Sequence, residues 1–180
     1  ATSKVSLSSQ EWCGHVFDEA LFVDDEISGH INSYFENEGR FNYSLTRPAA
    51  FESEDNLLIR IRELQGPFMA LGEERAMGIL PSLWSLRMRH RPHEIIDGKV
   101  RKRMVEMVEV GGDSLLAVRW EWKVGERQRR VWTEKSYPHR ILLWEDEDGG
   151  RGELQQTIRV PYWQLKANRD EVYRRELGIP

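Results

Sequence analysis

The chain has 180 residues, 26 basic and 30 acidic, for a formal net charge of −4, with 39% hydrophobic residues and seven tryptophans. A chain of this length buries roughly two thirds of the surface it exposes when unfolded, so it needs no covalent staple, and its one cysteine, Cys13, has no internal partner for a disulfide. The composition excludes a disordered chain, and no run approaches the roughly 20 apolar residues of a membrane span, so no transmembrane segment is expected.

At the N-terminus, Ala1 to Gln10 lacks the apolar core of a signal peptide. Strands are predicted near 4–10, 12–23, 27–36 and 40–47, divided by turn residues at Asp24-Asp25 and Asn37 to Gly39. A helix is predicted over 54–64, with Ser53 as its cap, Leu57, Leu58, Ile61 and Leu64 on one face, and Gly66-Pro67 ending it. The stretch Gly66 to Pro81 is where the chain divides into two β blocks, read here as parts of one β-rich domain spanning 1–180.

The second block reads as strands near 83–91, 94–110, 114–124, 128–136, 139–146 and 152–160. Trp84, Leu86 and Met88 alternate with Ser85, Arg87 and Arg89, and Val118, Trp120, Trp122 and Val124 alternate with Arg119, Glu121 and Lys123. One-sided alternation suits antiparallel sheet with one covered face. Asp97-Gly98 is the strongest hairpin signal, since a type I′ turn needs positive φ at both central residues; Gly111-Gly112-Asp113 and Gly125-Glu126 mark further reversals. A terminal helix is predicted from the capping-box-like pair Asn168 and Glu171 and from Gly178 as its C′ residue. The expected fold is mainly β with minor α: a curved antiparallel meander or partly open barrel, with one inserted helix and a C-terminal helix.

Charge is uneven along the chain, −8 over 1–80, +6 over 81–140 and −2 over 141–180. A basic middle between acidic flanks suits either an anionic partner or mutual attraction between parts of the sheet. The basic runs at 99–103 and 127–130 sit in predicted hairpin strands of an acidic protein, so nucleic acid is not the expected partner. Gly149-Gly150-Arg151-Gly152 lacks the following helix of a phosphate loop.

The densest polar cluster is Ser8 to His15. On a continuous strand Glu11, Cys13 and His15 share one face, which would set a thiol beside an imidazole that lowers its pKa; the alternative is a small buried cysteine and a hydrogen-bonded histidine. His15, His30, His90, His93 and His139 show no paired metal-ligand spacing, with His90 and His93 flanking Arg91-Pro92. No complete catalytic set, metal site or cofactor motif is present in the sequence. Trp84, Trp120, Trp122, Trp132 and Trp144 either fill the core or line an apolar pocket between a curved sheet and the helix at 54–64.

Several motifs, in order along nearly the whole chain, carry a resemblance. They are Ser8-Ser9-Gln10-Glu11-Trp12-Cys13-Gly14-His15, Asn32-Ser33-Tyr34-Phe35-Glu36 before a Gly39 turn, Leu80-Pro81-Ser82-Leu83 with His90, Tyr137-Pro138-His139, and Tyr162-Trp163 ahead of a terminal segment with Tyr173-Arg174 and Leu177. With them the chain resembles a family of uncharacterised bacterial envelope proteins, many of them lipoproteins, some carrying the label of Maf-type septum formation inhibitors. The resemblance implies an exported, periplasmic or envelope-bound β-rich protein with a further N-terminal portion bearing a lipobox cysteine, and it transfers no chemistry. The Maf label itself does not fit, because a Maf-type nucleotide pyrophosphatase needs an α/β fold and an N-terminal Ser-x-x-Arg-Arg-like loop. The meander half is also loosely similar to envelope proteins whose curved sheets hold lipids.

The expected function is therefore a non-enzymatic envelope protein that binds an apolar small molecule or lipid, or a protein partner, through its tryptophan-rich sheet. An accessory subunit docked on a larger membrane-associated assembly is the alternative from the uneven charge. An enzyme centred on Cys13 and His15 is the alternative from the polar cluster.

Overall fold

The computed structural model describes residues 3–12, 14–35 and 38–179. The first four strands, β1 (Lys4–Glu11), β2 (Gly14–Val23), β3 (Glu26–Ser33) and β4 (Gly39–Thr46), form a four-stranded antiparallel meander in chain order. Its reversals are tight: Glu11 pairs with Gly14, and Val23 with Glu26 across Asp24-Asp25, where Asp24 adopts a left-handed conformation. Asp tolerates that region better than most residues because its short side chain bonds the local backbone.

A second sheet of seven strands curls into a half-barrel. It contains β5 (Phe51–Ser53), β6 (Glu74–Leu80), β7 (Ile96–Val110), β8 (Asp113–Val124), β9 (Arg127–Glu134), β10 (Ile141–Asp146) and β11 (Arg151–Glu153), side by side in reverse chain order. All pairs are antiparallel except β5 with β6, which are joined by a crossover carrying helix α1 (Glu54–Arg60), as a parallel pair requires. Register shifts within the β7–β8 and β9–β10 pairs supply bulges, which increase twist and help a wide sheet curl.

The predicted alternation on β8 fills the concave side. Trp120, Trp122 and Val124 are fully buried there with Val100, Val131, Ile79, Leu57 and Ile61. Register puts Val131 opposite Trp120 but Trp132 opposite Arg119, so Trp132 points to the other face, into a smaller cluster with Ala117, Leu142 and Leu143. The two sheets meet through Ala20, Phe22 and Ile27 of the small one and Leu80 of the large one. The mainly β, antiparallel architecture with an inserted and a terminal helix is thus present, divided into two sheets.

Several elements differ from expectation. Residues 83–89 form helix α2 (Leu83–Arg89), not a strand; Leu83 and Leu86 are buried at helical spacing while Trp84 and Met88 face outward. The cause is tertiary. The first turn of α1 reaches across, Glu54 accepting from the Ser82 N–H at 2.9 Å and Asp55 from the Leu83 N–H at 3.0 Å, so two of the four orphan amides at the start of α2 are satisfied. Asp97-Gly98 is not a hairpin: both residues lie inside β7, with Gly98 between Met77 and Val124. A side chain at Gly98 would collide with Ile79, so this glycine marks a close approach within the sheet. Ser53 occupies the N-cap position of α1 without capping it; its hydroxyl is buried and unpartnered, and its own N–H bonds to Glu52 at 3.1 Å. The helix also stops at Arg60, short of Leu64.

The strand predicted over 152–160 is realised only in β11. Beyond Leu154, whose N–H still bonds to Leu142 at 2.8 Å, the chain runs without sheet partners to helix α3 (Val172–Glu176). Before α3 the reciprocal contact is Asp170 accepting from the Ala167 N–H at 2.9 Å, in place of the Asn168–Glu171 pair. The end of α3 follows expectation, with Gly178 at positive φ and Ile179 N–H bonded back to Arg174. This arm leaves Tyr162 and Trp163 largely exposed.

Candidate functional site

The inner face of the small sheet follows directly from the period of two. Val16, Asp18, Ala20 and Phe22 of β2 share it with Ile27 and Ile31 of β3 and with Phe41, Tyr43 and Leu45 of β4. One member breaks the pattern: Asp18, only 4% exposed, is an acid on an otherwise apolar face. A buried carboxylate needs a partner, and one arrives from the connection after α2. His93 Nε2 lies 2.8 Å from Asp18 Oδ2, and both side chains are 5% exposed.

Tyr43 completes the group. Its ring stacks on the His93 imidazole, centroids 4.0 Å apart at 17°, and its hydroxyl donates to the Glu19 carbonyl at 3.2 Å and more weakly to Asp18 Oδ1 at 3.4 Å. Burial, and after it the Asp18 charge, hold the phenol far above its ordinary pKa, so it stays a neutral donor. The ring lies flat across Gly29, its cross-strand partner, and any Cβ at that position would collide with it. Glycine there lets an aromatic ring cross the sheet surface.

These groups line one side of a cleft of about 390 Å³ between the inner face and α2. Val16, Ile31, Phe41, Leu86 and Pro92 supply its apolar walls. At the α2 end, Arg87 gives one guanidinium nitrogen to both oxygens of Glu38, at 3.0 and 2.9 Å, and sits over the Phe35 ring at 4.3 Å. Glu38 also accepts from the Ser33 hydroxyl at 2.5 Å; that bond first and Arg87 besides hold its carboxyl below the ordinary glutamate value, against the cost of burial. The wall is fixed by the end of α2, where His90 takes a left-handed conformation and the Arg91 N–H bonds back to the Leu86 carbonyl at 3.0 Å.

A broader groove of about 830 Å³ lies between α1, the segment after it and the edge of the small sheet. Of its charged residues, Arg60 pairs with Glu52 at 3.5 Å, Lys4 with Glu19 at 3.1 Å and Glu63 with Lys102 at 2.6 Å.

The tryptophans are elsewhere. Trp120 and Trp122 are 0% and 1% exposed in solid core, their indole N–H groups bonded to Thr133 at 3.1 Å and Glu54 at 3.2 Å. Trp132 is on the opposite face, bonded to Glu106 at 2.5 Å, and Trp144 lies beneath the Arg129 guanidinium. Trp84 is half exposed on α2. None of the five lines the cleft or the groove. Between the curved sheet and α1 the space is filled by Trp120 and Trp122, packed with Leu57 and Ile61.

The polar cluster does not form as expected either. Its premise was a continuous strand, but the chain reverses between Glu11 and Gly14, leaving Glu11 and His15 on different strands. His15 bonds instead to the Ser8 hydroxyl at 3.0 Å. Cys13 lies outside the described residues. Of the other histidines, His139 Nδ1 bonds to the Glu134 carbonyl at 3.1 Å and His30 packs against Phe17. Among the described residues no group of three or more His, Cys, Asp or Glu is placed to hold a metal ion, and no helix is long and apolar enough to cross a membrane.

Sequence reasoning considered His93 as a metal donor and did not single out Asp18, Tyr43, Glu38 or Arg87. The signal for Asp18 was present, as the lone acid in the register Val16, Asp18, Ala20, Phe22. The His93 contact spans 75 residues and leaves no local trace. No protein-family model, curated protein or solved structure matches the chain.

Proposed function

We propose that this is a non-enzymatic binding protein of the bacterial cell envelope that holds an apolar small molecule in the cleft between the small sheet and α2. The observation carrying this reading is the cleft itself: apolar walls, a volume in the range of small-molecule sites, and a few convergent polar groups at one end. Binding is favoured over catalysis because the ionisable groups of the floor are engaged with each other, Asp18 with His93 and Tyr43, and Glu38 with Arg87 and Ser33. Among the described residues that line it there is no serine, threonine or cysteine. The envelope setting is supported by the sequence resemblance.

Native mass spectrometry of the protein released from the envelope fraction of its producing cells tests both parts. The expected spectrum contains an additional small apolar mass that is lost in Ile31→Trp, which fills the cleft. Absence of the protein from that fraction removes the envelope setting. A wild-type protein that carries no ligand and takes up no apolar fluorescent probe removes the binding function.

A further inference from the structure

The charges around the cleft are not evenly spent, and the imbalance points to the kind of molecule it takes. The ionisable side chains lining it are Asp18 and Tyr43 from the small sheet, Glu38 from the β3–β4 connection, Arg87 from α2, and His90, Arg91 and His93 from the segment that follows. Both acids are satisfied: Asp18 by His93 and Tyr43, Glu38 by Arg87 and Ser33. His90 and Arg91 make no salt bridge among the described residues, although His90 stands close enough to Glu38 to contribute to the field that favours its carboxylate. Their backbone is fixed, with His90 in a left-handed conformation and the Arg91 N–H bonded to the Leu86 carbonyl ahead of Pro92. The cleft mouth therefore holds one guanidinium, Arg91, without an acid paired to it among the described residues, beside the His90 imidazole and next to apolar walls.

Resting on the cleft as the binding site, we infer that its ligand is an amphiphilic anion: an alkyl or similarly apolar body lying between Ile31, Phe41 and Leu86, with a carboxylate or phosphate head at Arg91 and His90. A charged acceptor gains charge-assisted bonds from the guanidinium that a neutral head does not. A cationic head would meet Arg91 and acids whose acceptor sites are already occupied, so it would be disfavoured.

Calorimetric titration with decanoate, decyl phosphate, decanol and decylamine, each below its aggregation concentration, tests the inference. Decanoate and decyl phosphate are expected to bind about tenfold or more tighter than decanol, with decylamine weakest. Arg91→Gln, an exposed substitution that leaves the core untouched, is expected to remove most of that preference while decanol binding stays constant. Decanol binding as tightly as decanoate, decylamine binding tightest, or an unchanged preference in Arg91→Gln would overturn the anionic head and leave the cleft standing. No binding by any of the four, with no uptake of an apolar probe, would overturn the inference together with the site it rests on. The ratio of decanoate to decyl phosphate affinity separates the two head groups.

Discussion

The two sheets use the same alternation of apolar residues to opposite ends. On the large sheet the inward positions carry Trp120, Trp122, Val100 and Val131, whose bulk, with α1 above them, leaves the concave side solid. On the small sheet they include Gly29, a single acid and a tyrosine lying flat, and α2 covers only part of the face. The large sheet's face also has a glycine, Gly98, and a buried charge, Lys102, but Ile79 lies across the first while Glu63 and the Trp120 ring hold the second. A curved or half-apolar face does not by itself make a binding site; it also takes a covering element that leaves part of that face bare, as α2 does here.

Substitutions can break or sharpen this contrast. The largest effect is expected from Trp120→Ala, which leaves a large void in the large sheet's core and should cost about 4–5 kcal/mol in chemical denaturation. Where the variant still folds, its affinity for a cleft ligand should match wild type. Loss of binding in a folded Trp120→Ala protein would mean that the large sheet's core belongs to the site after all.

Next comes His93→Leu, which strands the Asp18 carboxylate in an apolar setting and should cost about 3 kcal/mol. Adding Asp18→Val should recover much of that loss, because replacing both members of a buried pair by apolar groups is often close to neutral. A double variant as unstable as the single one would show that the pair is held by more than its mutual contact.

The smallest effect concerns Glu38. Its carboxyl titrates below the ordinary glutamate value because Ser33 and Arg87 favour the charged form. Its folded pKa is the lower one, so its contribution is present above the unfolded value and is lost as pH falls from about 4.3 through the folded pKa. The group is partly exposed, so this contribution should stay below about 1 kcal/mol. NMR titration of the Glu38 carboxyl should show the depressed value rising in Arg87→Gln; an unchanged titration would place Arg87 outside its control.

Much of the fold was legible in the sequence, because both sheets are built from local alternation and from turns that follow each other in order. The strands of the small sheet and the long strands β7 and β8 could be read that way. What could not be read is set by contacts between distant segments. The helix at 83–89 shows period two in Trp84, Leu86 and Met88, yet is helical because Glu54 and Asp55 satisfy its first amides from 28 residues away. Asp97-Gly98 carries a turn signature but is claimed by strands on both sides. The site was missed for the same reason: Asp18 is conspicuous in its register, but its meaning depends on His93, Tyr43 and the position of α2.

The loan of acceptors from α1 to α2 ties the cleft on the small sheet to the large one. A seven-residue helix is too short to persist alone, because nucleation costs more than so few bonds return. Until β5 and β6 pair and α1 docks, the segment carrying Arg87 and leading to His93 has no reason to coil. The wall of the cleft therefore depends on an element seated on the large sheet, although the face it covers belongs to the small one.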